Sequence, residues 1–158
     1  MSNICIRHME SAADKSAFRD LNLAWIEEHF EVEDKDRATL DDPDANIIAK
    51  GGCVLVADVA GDIAGVLALI PQAPGTLELA KMTVSEGFRG AGVARKLMLA
   101  AEDAGRKMGA TKLWLESNTV LAPAIELYRA CGWSELAGDD CAPSPYARCN
   151  IQMEKRIA

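Results

Sequence analysis

Arg89-Gly90-Ala91-Gly92-Val93-Ala94-Arg95 is a run whose residue types suit one kind of chemistry. Small residues at positions 90, 92 and 94 let a ligand approach the main chain closely. A helix beginning here presents unpaired N–H groups and the positive end of its dipole to the same point. Such a turn binds phosphate oxygens, and Arg89 and Arg95 supply cationic charge beside it. Two nucleotide patterns fail on residue identity. Counting from Gly90, Arg95 stands where a dinucleotide fingerprint needs its third glycine. Gly92 is followed by Val93-Ala94 rather than the Lys-Ser/Thr of a P-loop. What remains is an Arg-x-x-Gly-x-Ala pattern formed by Arg89, Gly92 and Ala94.

The elements that must position this turn can be read from the apolar spacing. Upstream, Cys53–Val59 and Ile63–Ile70 flank Ala60-Gly61-Asp62, a hairpin signal. A turn over Pro71–Gly75 leads to a third strand, Thr76–Val84, which carries Glu78, Met82 and Thr83. The glycine run opens a helix from about Gly90 to Met108. Its apolar face is Val93, Leu97, Ala100, Ala101, Ala104 and Met108, with Arg95, Lys96, Glu102, Asp103 and Arg106 largely off it. Gly109 stops that helix. Lys112–Glu116 reads as a strand, Pro123–Ala130 as a short helix ended at Gly132, and Trp133–Leu136 and Cys149–Glu154 as closing strands around a loop over Ala137–Ala147. At the start, Ile4–Arg7 alternates like a strand and a helix is expected from Asp14, taken as its N-cap, with Phe18, Leu21, Leu23, Trp25 and Ile26 inward. The acidic stretch Glu27–Asp44 reads as helix ends and a loop broken at Pro43. A meander followed by alternating helices and strands predicts an α/β (α+β type) fold, a mixed, mainly antiparallel central sheet of about seven strands flanked by helices.

Bulk properties narrow the function classes. The 158 residues make one domain, 1–158, with 49% hydrophobic and 26% charged residues. A net charge of −7 argues against nucleic acid as a partner. The longest apolar runs are of strand length, which argues against a membrane partner. Met1–His8 holds no long apolar segment, and the five cysteines include no C-x-x-C pair, so a cytoplasmic, reduced protein without a metal site is expected.

The Arg89–Ala94 pattern resembles the acyl-CoA pyrophosphate motif of the GNAT superfamily of N-acyltransferases. The resemblance extends to the upstream strand Glu78–Val84, to Leu115-Glu116-Ser117-Asn118, and to Ala124–Trp133 with Tyr128 before Cys131-Gly132. It is strong from about Cys53 to Leu136. The resemblance implies a GNAT-like fold, acetyl-CoA as cosubstrate with no metal, and direct transfer of the acetyl group to a primary amine of a small molecule or peptide. Arg89, Gly90, Ala91, Gly92, Val93, Ala94 and Arg95 would hold the pyrophosphate. Backbone N–H groups of Met82, Thr83 and Val84 would hold the thioester and pantetheine arm where the family's sheet splays open. Tyr128 would protonate the departing thiolate, a phenol near pKa 10 matching a thiolate of similar basicity. Glu78 would be the general base, with Glu116 its rival, acting directly or through water. Asn118 would contact the CoA arm or cap the following helix. A homodimer is common for the fold. The alternative is a non-catalytic acyl-CoA-binding sensor on the same fold.

Other residues leave alternatives open. The acidic stretch falls where the family builds its acceptor wall, and reads either as a field for a cationic amine or as a solvated helix face. His29, Tyr146, Arg148 and Asn150 are further candidates for the acceptor side.

Overall fold

A computed structural model describes residues 3–158; Met1 and Ser2, the beginning of the N-terminal run considered above, lie outside the described residues. Seven strands form one sheet, in the order β1-β2-β3-β4-β5-β7-β6. They are β1 (Ile4–His8), β2 (Cys53–Val59), β3 (Asp62–Ala73), β4 (Thr76–Val84), β5 (Lys112–Ser117), β6 (Ser134–Glu135) and β7 (Ile151–Arg156). Every neighbouring pair is antiparallel except β4–β5. The helices are α1 (Ala12–His29), α2 (Asp34–Asp41), α3 (Val93–Lys107) and α4 (Ala122–Ala130). The expected mixed sheet flanked by helices is the observed architecture.

The β2–β3 turn has Ala60 and Gly61 both at positive φ, the backbone that matches hairpin twist. The central strands are apolar on both faces because both faces are covered. Leu55, Ala57, Leu67 and Leu69 point into the cluster under α3 and α4. Val54, Val56, Val66 and Ala68 point into a second cluster with Phe18, Ile26, Leu40 and Ile47.

Several boundaries differ from the sequence reading. Ser11, not Asp14, caps α1: the Asp14 N–H donates to Ser11 Oγ (3.1 Å), and the Ser11 N–H donates to Asp14 Oδ2 (3.2 Å). Arg7 grips Asp14 through both carboxylate oxygens, which fixes that residue three positions inside the helix. The acidic stretch is not merely a loop. It contains α2 and runs into a π-helical turn over Asp44–Ile48, because Leu40 and, just beyond the stretch, Ile47 are drawn into the core. β3 runs on to Ala73, through the segment expected to turn.

Helix α3 starts at Val93 and buries Met98, Glu102 and Gly105, whereas Met108 is exposed. Glu102 is tolerated inside because Lys155 Nζ lies 3.0 Å away. The first turn of α3 sits hard on β3 at Gly65, where an added Cβ would meet Val93 Cγ1 at 3.0 Å and Leu97 Cδ1 at 3.1 Å. That close approach sets where the glycine run points. Leu97, fully buried beneath it, should cost about 3 kcal/mol when cut to alanine. The exposed Leu99→Ala should stay within about 0.5 kcal/mol of the parent, both read from urea unfolding.

Candidate active site

Strands β4 and β5 are paired over only three positions, Thr76–Lys112, Leu77–Leu113 and Glu78–Trp114. Beyond that point each follows a different partner. β4 stays on β3 to Val84, and β5 stays on β7 to Ser117. A bulge in β4 drives the divergence: Val66 pairs Thr83 while Ala68 pairs Ala80, so Lys81 and Met82 together oppose one residue. Bulges bend and twist the strand that carries them. Lys81 takes φ of +54° to make this one. The edge of β4 facing β5 therefore has no ladder partner after Glu78, and a cavity of about 330 Å³ opens between the strands.

Met82, Thr83, Val84 and Arg89 line one part of this cavity, and Asn118 and Tyr128 border it from the β5–α4 side. The remaining residues of the glycine run lie outside its lining, past Arg89. Gly90 and Gly92 take φ of +82° and +83° with open space where side chains would project. The first bond of α3 runs from Lys96 N–H to Gly92 O (3.2 Å). The N–H groups of Val93, Ala94 and Arg95 thus have no intrahelical acceptor. The Val93 side chain is turned into the core, so only its backbone is available. Asn118 donates to Arg148 O (2.7 Å) and accepts from Val120 N–H (2.9 Å), tying the cavity wall to the turn before α4. Asn22, which the sequence reading missed, accepts from Thr83 Oγ1 (2.7 Å) and steadies the bulged strand.

Glu78 and Glu116 project into the same cavity. Burial raises the Glu78 carboxyl to about 7, with a further push from the charge of Glu116. Oε2 of Glu116 is buried and, among the described residues, no group donates to it. Such an unmet acceptor costs about 1–3 kcal/mol. Tyr128 packs its ring 6.1 Å from that of Trp133, and burial pushes its phenol up to about 12.

The far wall is an ion network that sequence spacing does not reveal. Asp36, completely buried, accepts both guanidinium nitrogens of Arg148 (2.8 and 2.7 Å), the Lys81 ammonium and the Glu33 N–H (2.9 Å). Burial alone would raise the Asp36 carboxyl, but these donors outweigh it and hold the group at about 2. Tyr146 completes the wall, with Lys81 Nζ 3.3 Å from its hydroxyl and the Arg148 guanidinium 4.3 Å from its ring.

The acidic stretch does not converge on the cavity. Asp41 and Asp44 are spent on surface pairs with Arg19 and Lys15, and Glu33 and Asp36 on Arg148. His29 is exposed, bonded to Trp25 O (3.0 Å), and Asn150 accepts from Thr119 N–H (2.9 Å); neither lines the cavity. Among the described residues, no group of three His, Cys, Asp or Glu side chains is arranged to hold a metal, and no helix is long and apolar enough to cross a membrane.

The model of the acetyltransferase (GNAT) family matches residues 16–133. Over 75 residues the chain is 43% identical to streptothricin acetyltransferase of Streptomyces lavendulae, covering 47% of this chain and 40% of that one. It is 28% identical over 102 residues to YvbK, an uncharacterized N-acetyltransferase of Bacillus subtilis, covering 62% and 65%. The chain thus spans less than two thirds of the length of these curated relatives. A GNAT-family acetyltransferase of Staphylococcus aureus Mu50 superposes with a TM-score of 0.86 at 19% identity, over 99% of this chain and 100% of that one. YncA of Salmonella typhimurium, solved with its cofactor acetyl-CoA, gives 0.75 at 21%, over 99% and 95%. These structures share the fold.

Glu78 binds its proton more tightly in the fold, at about 7 against the ordinary 4.5, so the protein should lose stability as pH rises through that window. Glu78→Gln should flatten that decline in unfolding curves recorded from pH 4.5 to 7. Glu116→Gln should lower the Glu78 pKa part of the way back, as read by carboxyl NMR titration, with burial keeping it above 4.5.

Proposed function

We propose, for a chain that belongs to the acetyltransferase (GNAT) family, that it moves the acetyl group of acetyl-CoA directly onto a primary amine. The observation that carries this reading is the meeting of Glu78 and Tyr128 in one cavity between the parted strands, with the glycine turn beyond its Arg89 end. The pyrophosphate of CoA would lie on the backbone of residues 90–95 with Arg89 and Arg95 beside it. The pantetheine arm would follow the unpaired edge of β4 past Asn118, and N–H groups of Met82 to Val84 would polarise the thioester carbonyl.

In the transfer, the amine nitrogen attacks the thioester carbon, the C–N bond forms and the C–S bond breaks. The proton lost by nitrogen passes to Glu78, directly or through water, and the thiolate takes a proton from Tyr128, giving an amide and free CoA. Glu78 is preferred to Glu116 as base because its carboxyl, raised to about 7, is suited to taking a proton near neutral pH. The burial that makes Tyr128 a weaker acid also makes the thiolate a stronger base, so the two stay matched. The five cysteines are free, which suits the cytoplasm as the setting.

Incubation with acetyl-CoA and a broad panel of amines, following free thiol, tests the reading. Acceptor-dependent CoA release is expected; CoA binding without release from any amine would mark a sensor instead. Tyr128→Phe should lower kcat by about tenfold or more with little change in CoA affinity. In the parent, kcat/KM should rise with pH through about 7 as Glu78 loses its proton, and Glu78→Gln should abolish that limb.

A further inference from the structure

The acceptor half of the cavity has two positive side chains in its wall, and both are already engaged. Lys81 and Arg148 each donate to the buried Asp36, and Arg148 also lies 3.3 Å from Glu33. Two cations and two carboxylates cancel there, leaving little to attract an incoming carboxylate. Glu78 and Glu116 line the same cavity. The leading charge acting on Glu78 is Glu116 itself, and none of the described residues donates to the buried Oε2 of Glu116. Trp25 and Ile26 of α1, with Phe30 just past its end, add an apolar strip to the lining, and its two rings are half-buried. Aromatic faces favour ammonium groups, and the strip as a whole accepts methylenes.

We propose that the acceptor is a small aliphatic diamine or polyamine, with one nitrogen placed at Glu78 for acetylation and a second, still charged, held by Glu116. The assignment rests on the acetyltransferase reading above. A second ammonium supplies the donor that Oε2 of Glu116 lacks and offsets its charge. Its own charge also disfavours protonation of the first nitrogen, which must be neutral to attack. An amino acid or acidic peptide brings a carboxylate toward Glu116 instead, and Lys81 and Arg148 in the wall are already engaged by Asp36. Glu116 is thus assigned to acceptor recognition, leaving proton removal to Glu78.

Putrescine, butylamine and γ-aminobutyrate share one chain length and differ only at the far end, so they separate these cases. With acetyl-CoA and the full chain, kcat/KM for putrescine should exceed that for butylamine by about tenfold or more, with γ-aminobutyrate lowest. Glu116→Gln, similar in shape, should bring the putrescine-to-butylamine ratio close to one, and thermal melting checks that it folds. Glu116→Asp, which keeps the charge, should retain part of the preference. Calorimetric binding of putrescine to the CoA-saturated protein should weaken in Glu116→Gln by a factor similar to the loss in ratio. Equal or better use of butylamine or γ-aminobutyrate overturns the diamine assignment while the acetyltransferase reading stands. A putrescine preference that survives Glu116→Gln overturns the role of Glu116. No amine-dependent CoA release anywhere in the broad panel overturns both readings.

Discussion

The parting of β4 from β5 is the constraint on which the rest of the molecule depends. Two strands that began as parallel partners are each held along their other edge, β4 by β3 and β5 by β7, so neither can swing back to close the gap. The bulge at Lys81 and Met82 turns the ladder aside, and a lysine in left-handed backbone stores strain of about 1–2 kcal/mol. The buried contact of its ammonium with Asp36 helps to hold it there. Backbone amides that a closed sheet would pair are thereby left free for a ligand instead.

The two halves of the cavity are built on different principles. Along β4 and the start of α3, main-chain groups face outward, and side chains matter chiefly by being absent, as at Gly90 and Gly92, or by packing inward, as with Val93. Past Glu78 the working surface is made of side chains from distant segments: Trp25 and Phe30 from α1 and its end, Tyr146 and Arg148 from the last loop. The first kind of surface depends on helix and strand placement, the second on individual residues.

This difference also explains what could be read in advance. The glycine turn, the hairpin and the strand bearing Glu78 were legible because their signals are local: positive-φ residues, alternation, a helix start. The paired placement of Glu78 and Tyr128 could be anticipated only through an ordered set of motifs, since nothing local links β4 to α4. Asp14 and Ser11 are both cap-forming residue types three positions apart, and the contact that decides between them is with Arg7 on β1. The acidic stretch looked like a loop because its composition is polar throughout. Its helix is organised instead by Asp36, whose partners lie 45 and 112 positions away. The bulge at Lys81 has no sequence signature, since lysine gives no hint of left-handed backbone.

Asp36 also bears on how a site like this can change in evolution. One carboxylate is the shared partner of two cations, so a single substitution such as Asp36→Asn would leave Lys81 and Arg148 facing the cavity with only Glu33 to offset them. The wall would pass in one step from neutral to net positive, and the charge of the molecules it favours would invert. Stranding two buried charges destabilises by about 3–5 kcal/mol, however, so that route is open only to a chain that has first gained stability elsewhere. The buried acid thus acts as a latch on substrate preference, and its release depends on the stability reserve of the whole fold.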